Sequence, residues 1–279
     1  MKAYLSYSCL GYQGVPDSYM VGMHKISAYC LKKNFGEVHL ITDSKSKPYF
    51  MDIPWTSVST SLDQVPTDFP HVWSLSKLYA FREIASRGEP FIHTDNDAFL
   101  WKGLPERLRK AEVFGQHPEN VVDYRYDPWK FYANCPNKHI FEVSCPPTAI
   151  NVGIVGGTNV EFFKDYSKSA IAFVQDPANS KFWKEYDEYW ATWCKAVLAE
   201  QWFLNAFALS RGIKVETLFS GWPTPEEVQK TYYTHLMGKK RWPNIRKIVN
   251  QMADRVVKIG NKLEDLGFGH EQLDEALAV

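Results

Sequence analysis

Phe91-Ile92-His93-Thr94-Asp95-Asn96-Asp97-Ala98-Phe99-Leu100 is the stretch on which the fold turns. Phe91 and Ile92 open it as a buried strand. A polar end with two acids follows directly, and then apolar residues return. Open α/β sheets bind their ligands just beyond the carboxyl ends of strands. Asp95 and Asp97 stand two apart with Asn96 between them, and close carboxylates repel unless a cation lies between them. Oxygen ligands of this kind suit Mg²⁺ or Mn²⁺. Alone, such a pair is most often an acidic turn after a strand, so its meaning rests on the remainder of the chain.

Upstream, Ala3 to Tyr7 alternates as a first strand. A loop with two glycines, Cys9 to Gly14, comes close behind it. That loop is neither G-x-G-x-x-G nor a P-loop, so the dinucleotide and ATPase fingerprints are absent. Asp17 or Ser18 caps a helix to about Asn34, with Tyr19, Met23, Ile26, Cys30 and Leu31 at helical spacing. Gly36 ends it, and Val38 to Thr42 is a second strand. One βαβ unit with parallel strands follows from this order. Prolines punctuate residues 44–70, with a short strand near Trp55 to Val58. A helix from about Trp73 to Ser86 leads into the acidic strand end.

Downstream, a short helix to Ala111 and a strand at Val113 to Gly115 precede a long aromatic connection, residues 116–148. Tyr124, Tyr126, Trp129, Phe131 and Tyr132 fall in it. Its length and composition fit a cleft wall or acceptor lid, or a structural insertion. Ala149 to Val155 reads as one strand, Gly156-Gly157 as a tight turn or as a place where backbone comes close to a ligand or another segment, and Thr158 or Asn159 as the cap of the next helix. Residues 181–209 read as one long helix or two. Glu200, Gln201 and Asn205 interrupt its apolar run, and polar groups on such a face want partners. Val215 to Phe219 is a last strand. A lone His235, followed by Gly238, Lys239, Lys240 and Arg241, precedes a helical pattern from Pro243 to Leu266.

The totals exclude several classes. The 279 residues hold 45% hydrophobic and 15% aromatic side chains, which excludes wholesale disorder. Thirty-two basic and 32 acidic residues balance, so nothing points to nucleic acid. Five cysteines match no zinc motif, and their odd number suits a reducing compartment. The start is too polar for a signal peptide, and no run of about 18 apolar residues exists to span a membrane. A cytoplasmic location follows, with peripheral membrane association left open, as is the oligomeric state.

Taken together, the strand-end D-x-D, N-x-G-x-x-G-G from Asn151 to Gly157, the acidic-Gln pair Glu200-Gln201 before Leu204-Asn205, and H-x-x-G-x-K from His235 to Lys240 resemble nucleotide-sugar glycosyltransferases of the GT-A fold. The resemblance is to the retaining galactosyltransferase and glycogenin-like group (glycosyltransferase family 8). It runs from the first strand to about residue 242. It implies an α/β, Rossmann-like fold with a central, mostly parallel mixed sheet flanked by helices. It divides the chain into a transferase domain, residues 1–242, and a C-terminal helical extension, residues 243–279. It also implies a Mn²⁺ ion, with Mg²⁺ as the alternative, held by Asp95, Asp97 and His235. Gly238 and Lys240 match the diphosphate contacts, with Asn96 and Tyr7 on the nucleotide side. Asn151, Glu200 and Gln201 match positions around the transferred sugar. Where the family usually has Asp-Gln, this chain has Glu-Gln. Ala98-Phe99 is bulkier than the family's pair after the acids, so the donor need not carry glucose or galactose.

The implied reaction is metal-dependent transfer of a sugar from a nucleotide-sugar, a UDP-sugar by resemblance, to a glycan, lipid-linked glycan or other hydroxyl acceptor, with retention. Two alternatives stand beside it. A nucleotidyl or phosphoryl transferase would need a second acidic cluster, which the sequence does not offer. A noncatalytic nucleotide-sugar-binding module would keep the fold without the chemistry.

Overall fold

The computed structural model describes residues 1–9, 14–69, 72–120, 140, 146–185, 195–237 and 242–259. Its strands are β1 (Lys2–Tyr7), β2 (Val38–Thr42), β3 (Ser57–Ser59), β4 (Phe91–Thr94), β5 (Ala98–Leu100), β6 (Val113–Gly115), β7 (Pro118–Asn120), β8 (Thr148–Ile150), β9 (Ile154–Gly157), β10 (Val215–Thr217) and β11 (Tyr233–His235). The helices are α1 (Ser18–Phe35), α2 (Leu75–Ser86), α3 (Glu106–Arg109), α4 (Val160–Gln175), α5 (Ser180–Glu185), α6 (Phe203–Ser210), α7 (Pro225–Thr231) and α8 (Pro243–Ile259). The chain adopts the expected α/β architecture, with a central, mostly parallel mixed sheet between helices.

Seven strands form that sheet in the order β10-β6-β9-β4-β1-β2-β3. β9 runs antiparallel to both its neighbours, and the other pairs are parallel. From β1 the chain goes first to β2 on one side and later to β4 on the other. The gap beyond the carboxyl ends of β1 and β4 is therefore the switch point where such sheets bind ligands. β4 is buried throughout, as a central strand covered on both faces must be.

The local rules behave as read. Asp17 caps α1 by accepting from Met20 N, and Gly36 ends it at φ 78°. Two readings change. The single strand expected from Ala149 to Val155 is two, because the chain breaks at Asn151-Val152-Gly153 and β8 pairs with β7 outside the main sheet. Gly156 and Gly157 are not a turn but the end of β9. A Cβ on Gly156 would overlap the backbone of Phe91 and Ile92, and one on Gly157 the carbonyl of Glu112. The pair lets three backbones approach closely.

Two layers cover the sheet. On one face α2 and α4 pack with α6 around Phe81, Phe91, Phe163, Tyr166, Trp202 and Phe203. α1 lies on the other, and α8 packs along it through Ile245, Val249 and Met252. Where α1 and α8 meet, a Cβ on Gly22 would stand 3.2 Å from Ala253 Cβ, so glycine sets the closeness of that crossing. Among the described residues, no helix is long and apolar enough to cross a membrane.

Candidate metal centre

Asp95, Asn96 and Asp97 form a tight turn between β4 and β5. Asp95 N donates to Gly153 O at 2.9 Å, and Ala98 N donates to Asp95 O at 3.1 Å. β5 pairs antiparallel with β11, which puts His235 opposite Ala98. Leu236 N closes this ladder on Asp97 O at 2.9 Å. Residues 140 positions apart thus reach one point, and a carboxylate oxygen of each acid and a ring nitrogen of His235 all lie within 4.8 Å of one another.

The hydrogen bonds around His235 test whether a cation fits. His235 Nδ1 lies 2.8 Å from Gln116 Oε1, which also accepts from Tyr233 OH at 2.7 Å. An acceptor already taking the Tyr233 proton calls for Nδ1–H on the imidazole, which leaves Nε2 as the nitrogen turned to the acids. That nitrogen faces Asp97 Oδ1 at 3.5 Å. The second carboxylate, Asp95, completes a set of two oxygens and one nitrogen that suits Mn²⁺, or Mg²⁺ less well. Gly153 is the spacer: a Cβ there would overlap both Gln116 Oε1 and the His235 ring.

Behind the two acids lies a buried ion cluster that the sequence reading missed. Lys77 Nζ on α2 lies 2.5 Å from Asp95 Oδ1 and 3.2 Å from Glu200 Oε1, and donates to Val152 O at 3.1 Å. Burial opposes the Lys77 charge, but Asp95 and Glu200 beside it hold its pKa above the ordinary lysine value. Burial pushes the Glu200 carboxyl up to about 7, Lys77 opposing and Asp95 adding to the shift. The signal in the sequence was a lysine inside the apolar row of the helix that precedes the acidic strand end.

The remaining expected residues fall as follows. Glu200 is only 1% exposed and is engaged by Lys77. Glu200 and Gln201 lie in a π-helical turn, Leu198–Trp202, a feature frequent at functional sites. Gln201 Oε1 is buried and has no hydrogen-bond partner among the described residues. Asn205 turns away and donates to Thr148 O at 2.9 Å. Asn151 is buried in the wall of the site. Its Oδ1 accepts from Gly153 N at 2.9 Å, and its Nδ2 donates to Glu119 Oε1 at 2.7 Å. Tyr7 is buried at the end of β1, its hydroxyl donating to Gly14 O at 2.7 Å, and Asn96 Nδ2 contacts Met20 Sδ. Gly238, Lys239, Lys240, Arg241 and the aromatic stretch from Tyr124 to Tyr132 lie outside the described residues.

Fold and site define an α/β protein with a two-carboxylate, one-histidine centre at the switch point of its sheet. The chain belongs to the family described as "Family of unknown function (DUF6734)", whose model matches residues 10–260. No curated protein matches its sequence. Among solved structures, it is similar to the apo form of mouse xyloside xylosyltransferase 1, with 12% sequence identity and a TM-score of 0.42, over 78% of this chain and 85% of that one.

Proposed function

We propose that this protein is a metal-dependent glycosyltransferase that moves a sugar from a nucleotide-sugar donor to a hydroxyl acceptor, with Asp95, Asp97 and His235 holding the ion. The observation that carries the reading is the convergence of a His235 ring nitrogen with the Asp95 and Asp97 carboxylates at the end of a parallel strand. When bound, the divalent ion neutralises negative charge that develops on the donor diphosphate as the sugar leaves. The chain's own part is positional. Gln116 fixes the tautomer of His235, and the β5–β11 ladder fixes its distance from Asp97. Lys77 holds Asp95 in place and keeps a positive charge beside the leaving group. Gly238 and Lys240 follow His235 by three and five residues in the sequence, and we assign them to the diphosphate by the family resemblance alone. A UDP-sugar is the donor class we favour.

The reading extends to retention. An inverting transfer needs a base that takes the acceptor proton. Glu200 is buried behind Lys77 and poorly placed for that work. Gln201 offers an unpartnered carbonyl oxygen, suited to a sugar ring gaining positive charge. Glu200 then acts through Lys77, and Asn151 acts through the Gly153 turn.

The test is calorimetry with UDP, with and without Mn²⁺, on the native chain and on Asp97→Ala. Mn²⁺-dependent UDP binding that disappears in the variant supports the site, whereas equal binding in both proteins would sink it. A panel of α-linked UDP- and GDP-sugars, read by nucleotide release, then identifies the donor. The product anomer by NMR decides retention, since a β product from an α donor overturns it.

A further inference from the structure

One polar cluster beside the metal centre has no role in this reading. His117 is fully buried, yet neither ring nitrogen makes a hydrogen bond among the described residues. Its Nε2 stands 3.4 Å from Glu119 Oε1, too poorly aligned for a hydrogen bond. Glu119 is 8% exposed. Its Oε1 accepts from Asn151 Nδ2, and its Oε2 has no hydrogen-bond partner among the described residues. Buried polar atoms left unsatisfied are costly, and a native chain that keeps three of them together calls for an explanation. Against this cluster lies Trp222, its ring edge-on to His117 with centroids 5.3 Å apart and planes at 78°. The indole is 67% exposed, the most open of the large apolar side chains in the described residues. Its loop is anchored nearby, since Leu218 N and Phe219 N donate to Gly115 O and Gln116 O.

The cluster is joined to the metal centre by two short routes. Gln116, which holds His235, is the neighbour of His117. Glu119 is bonded to Asn151, Asn151 to Gly153, and Gly153 O to Asp95 N. A ligand on Trp222 would therefore be tied to the metal centre through these bonds.

We infer that Trp222, Glu119 and His117 form the acceptor subsite and that the acceptor is a carbohydrate, its pyranose face stacked on the indole and its hydroxyls bonded to the Glu119 carboxylate and the His117 ring. The chemistry selects this class. An open aromatic face takes the apolar C–H face of a sugar, while a carboxylate and an imidazole need partners that both donate and accept, as hydroxyls do. The carboxylate disfavours an anionic acceptor. The unsatisfied atoms are shielded from water, so binding turns the Trp222 side chain off His117 and admits the hydroxyls beneath it. The word acceptor rests on the transferase reading, whereas the sugar site itself does not.

The experiment uses the full chain with p-nitrophenyl glycosides of glucose, galactose, xylose and mannose. Binding is read by saturation-transfer NMR and calorimetry, with Mn²⁺ and UDP present. At least one glycoside binds, Trp222→Ala weakens it at least about tenfold, and Trp222→Phe recovers most of the loss. Glu119→Gln weakens the same glycoside. Mn²⁺·UDP calorimetry on each variant confirms an intact fold and donor side. The inference is overturned if no glycoside of the panel binds, if Trp222→Ala binds as the native chain does, or if a serine- and threonine-containing peptide binds through Trp222 in place of the sugars. Failure of the transferase reading looks different: no Mn²⁺-dependent UDP binding, with Trp222-dependent glycoside binding retained.

Discussion

At the scale of single residues, the centre depends on groups that never touch the ion. Gln116 orients His235 by accepting from Nδ1, and partners of this kind commonly govern metal affinity about 10–100-fold. Gln116→Ala should lower Mn²⁺ affinity within that range, as titration of the Mn²⁺ EPR signal would report, and should also cost about 1–3 kcal/mol of stability because the buried Tyr233 hydroxyl loses its acceptor. An affinity equal to that of the native chain would show that the ring is held by packing alone. Lys77 supplies the second case. Removing one partner of a buried ion cluster leaves the others uncompensated, at a cost of about 3 kcal/mol. Lys77→Met should therefore destabilise the chain by about that much at pH 8. The loss should shrink at pH 6, because Glu200, already pushed up to about 7, then takes a proton and needs no cation. Urea unfolding at the two pH values measures the difference, and a loss that did not depend on pH would remove Glu200 from the cluster's energetics.

Among elements, α8 and β11 are linked through one apolar cluster. Ile245, Val249 and Met252 of α8 share it with Tyr19, Met23 and Ile26 of α1, with Phe99 of β5, and with Leu236, the residue after His235. Truncating a buried isoleucine costs about 2–5 kcal/mol. Ile245→Ala should lower stability by that amount in urea and also weaken Mn²⁺ binding, because Leu236 loses part of the wall that holds its strand against β5. Stability lost with Mn²⁺ affinity fully retained would show that the β5–β11 ladder positions His235 without help from α8.

For the whole molecule, the buried histidines set the acid limit. Burial lowers the pKa of His24 to about 4, and burial also drives His93 well below its ordinary value. Both are neutral in the fold, where His24 Nδ1 contacts Met20 O and His93 Nε2 contacts Ser6 Oγ. A depressed pKa contributes stability that is complete above the unfolded value of 6.5 and is lost as pH falls through the folded one. The drop from 6.5 to about 4 for His24 corresponds to roughly 3 kcal/mol. Stability should therefore fall steeply between about pH 6.5 and pH 4. His24→Phe, which cannot take up the proton, should flatten part of that slope in urea unfolding measured across the range. An unchanged slope would assign the acid sensitivity elsewhere. Glu200 acts in the opposite sense, because its raised pKa favours the fold at low pH and that contribution is lost as pH rises through about 7.

Local chemistry was legible in the sequence wherever local physics decides. Asp17 and Gly36 mark the ends of α1 because capping and left-handed backbone are properties of a few neighbouring residues. Phe91 to Thr94 announces a central strand because both of its faces must be apolar. The pairing of Asp95 and Asp97 at its end gave two of the three candidate metal ligands, and co-occurrence with His235 pointed to the third. The break at Asn151-Val152-Gly153 was missed although asparagine and glycine are depleted in strands; the reason it falls there, that Gly153 must admit Gln116 and His235, lies in contacts remote along the chain. Gly156-Gly157 offered both a tight turn and a close backbone approach, and only the tertiary structure decides for the approach, because Phe91 and Glu112 are remote along the chain. Lys77 and Gln116 were missed for the same reason. Their partners, Asp95 with Glu200 and His235 with Tyr233, are remote in sequence, so a lysine in an apolar helical row and a glutamine after a strand do not reveal along the chain what they bind. By itself the sequence determined which side chains could bind a cation. Only the tertiary structure decided which groups orient them, because a hydrogen bond or ion pair between distant residues exists only once the sheet has brought its strand ends together.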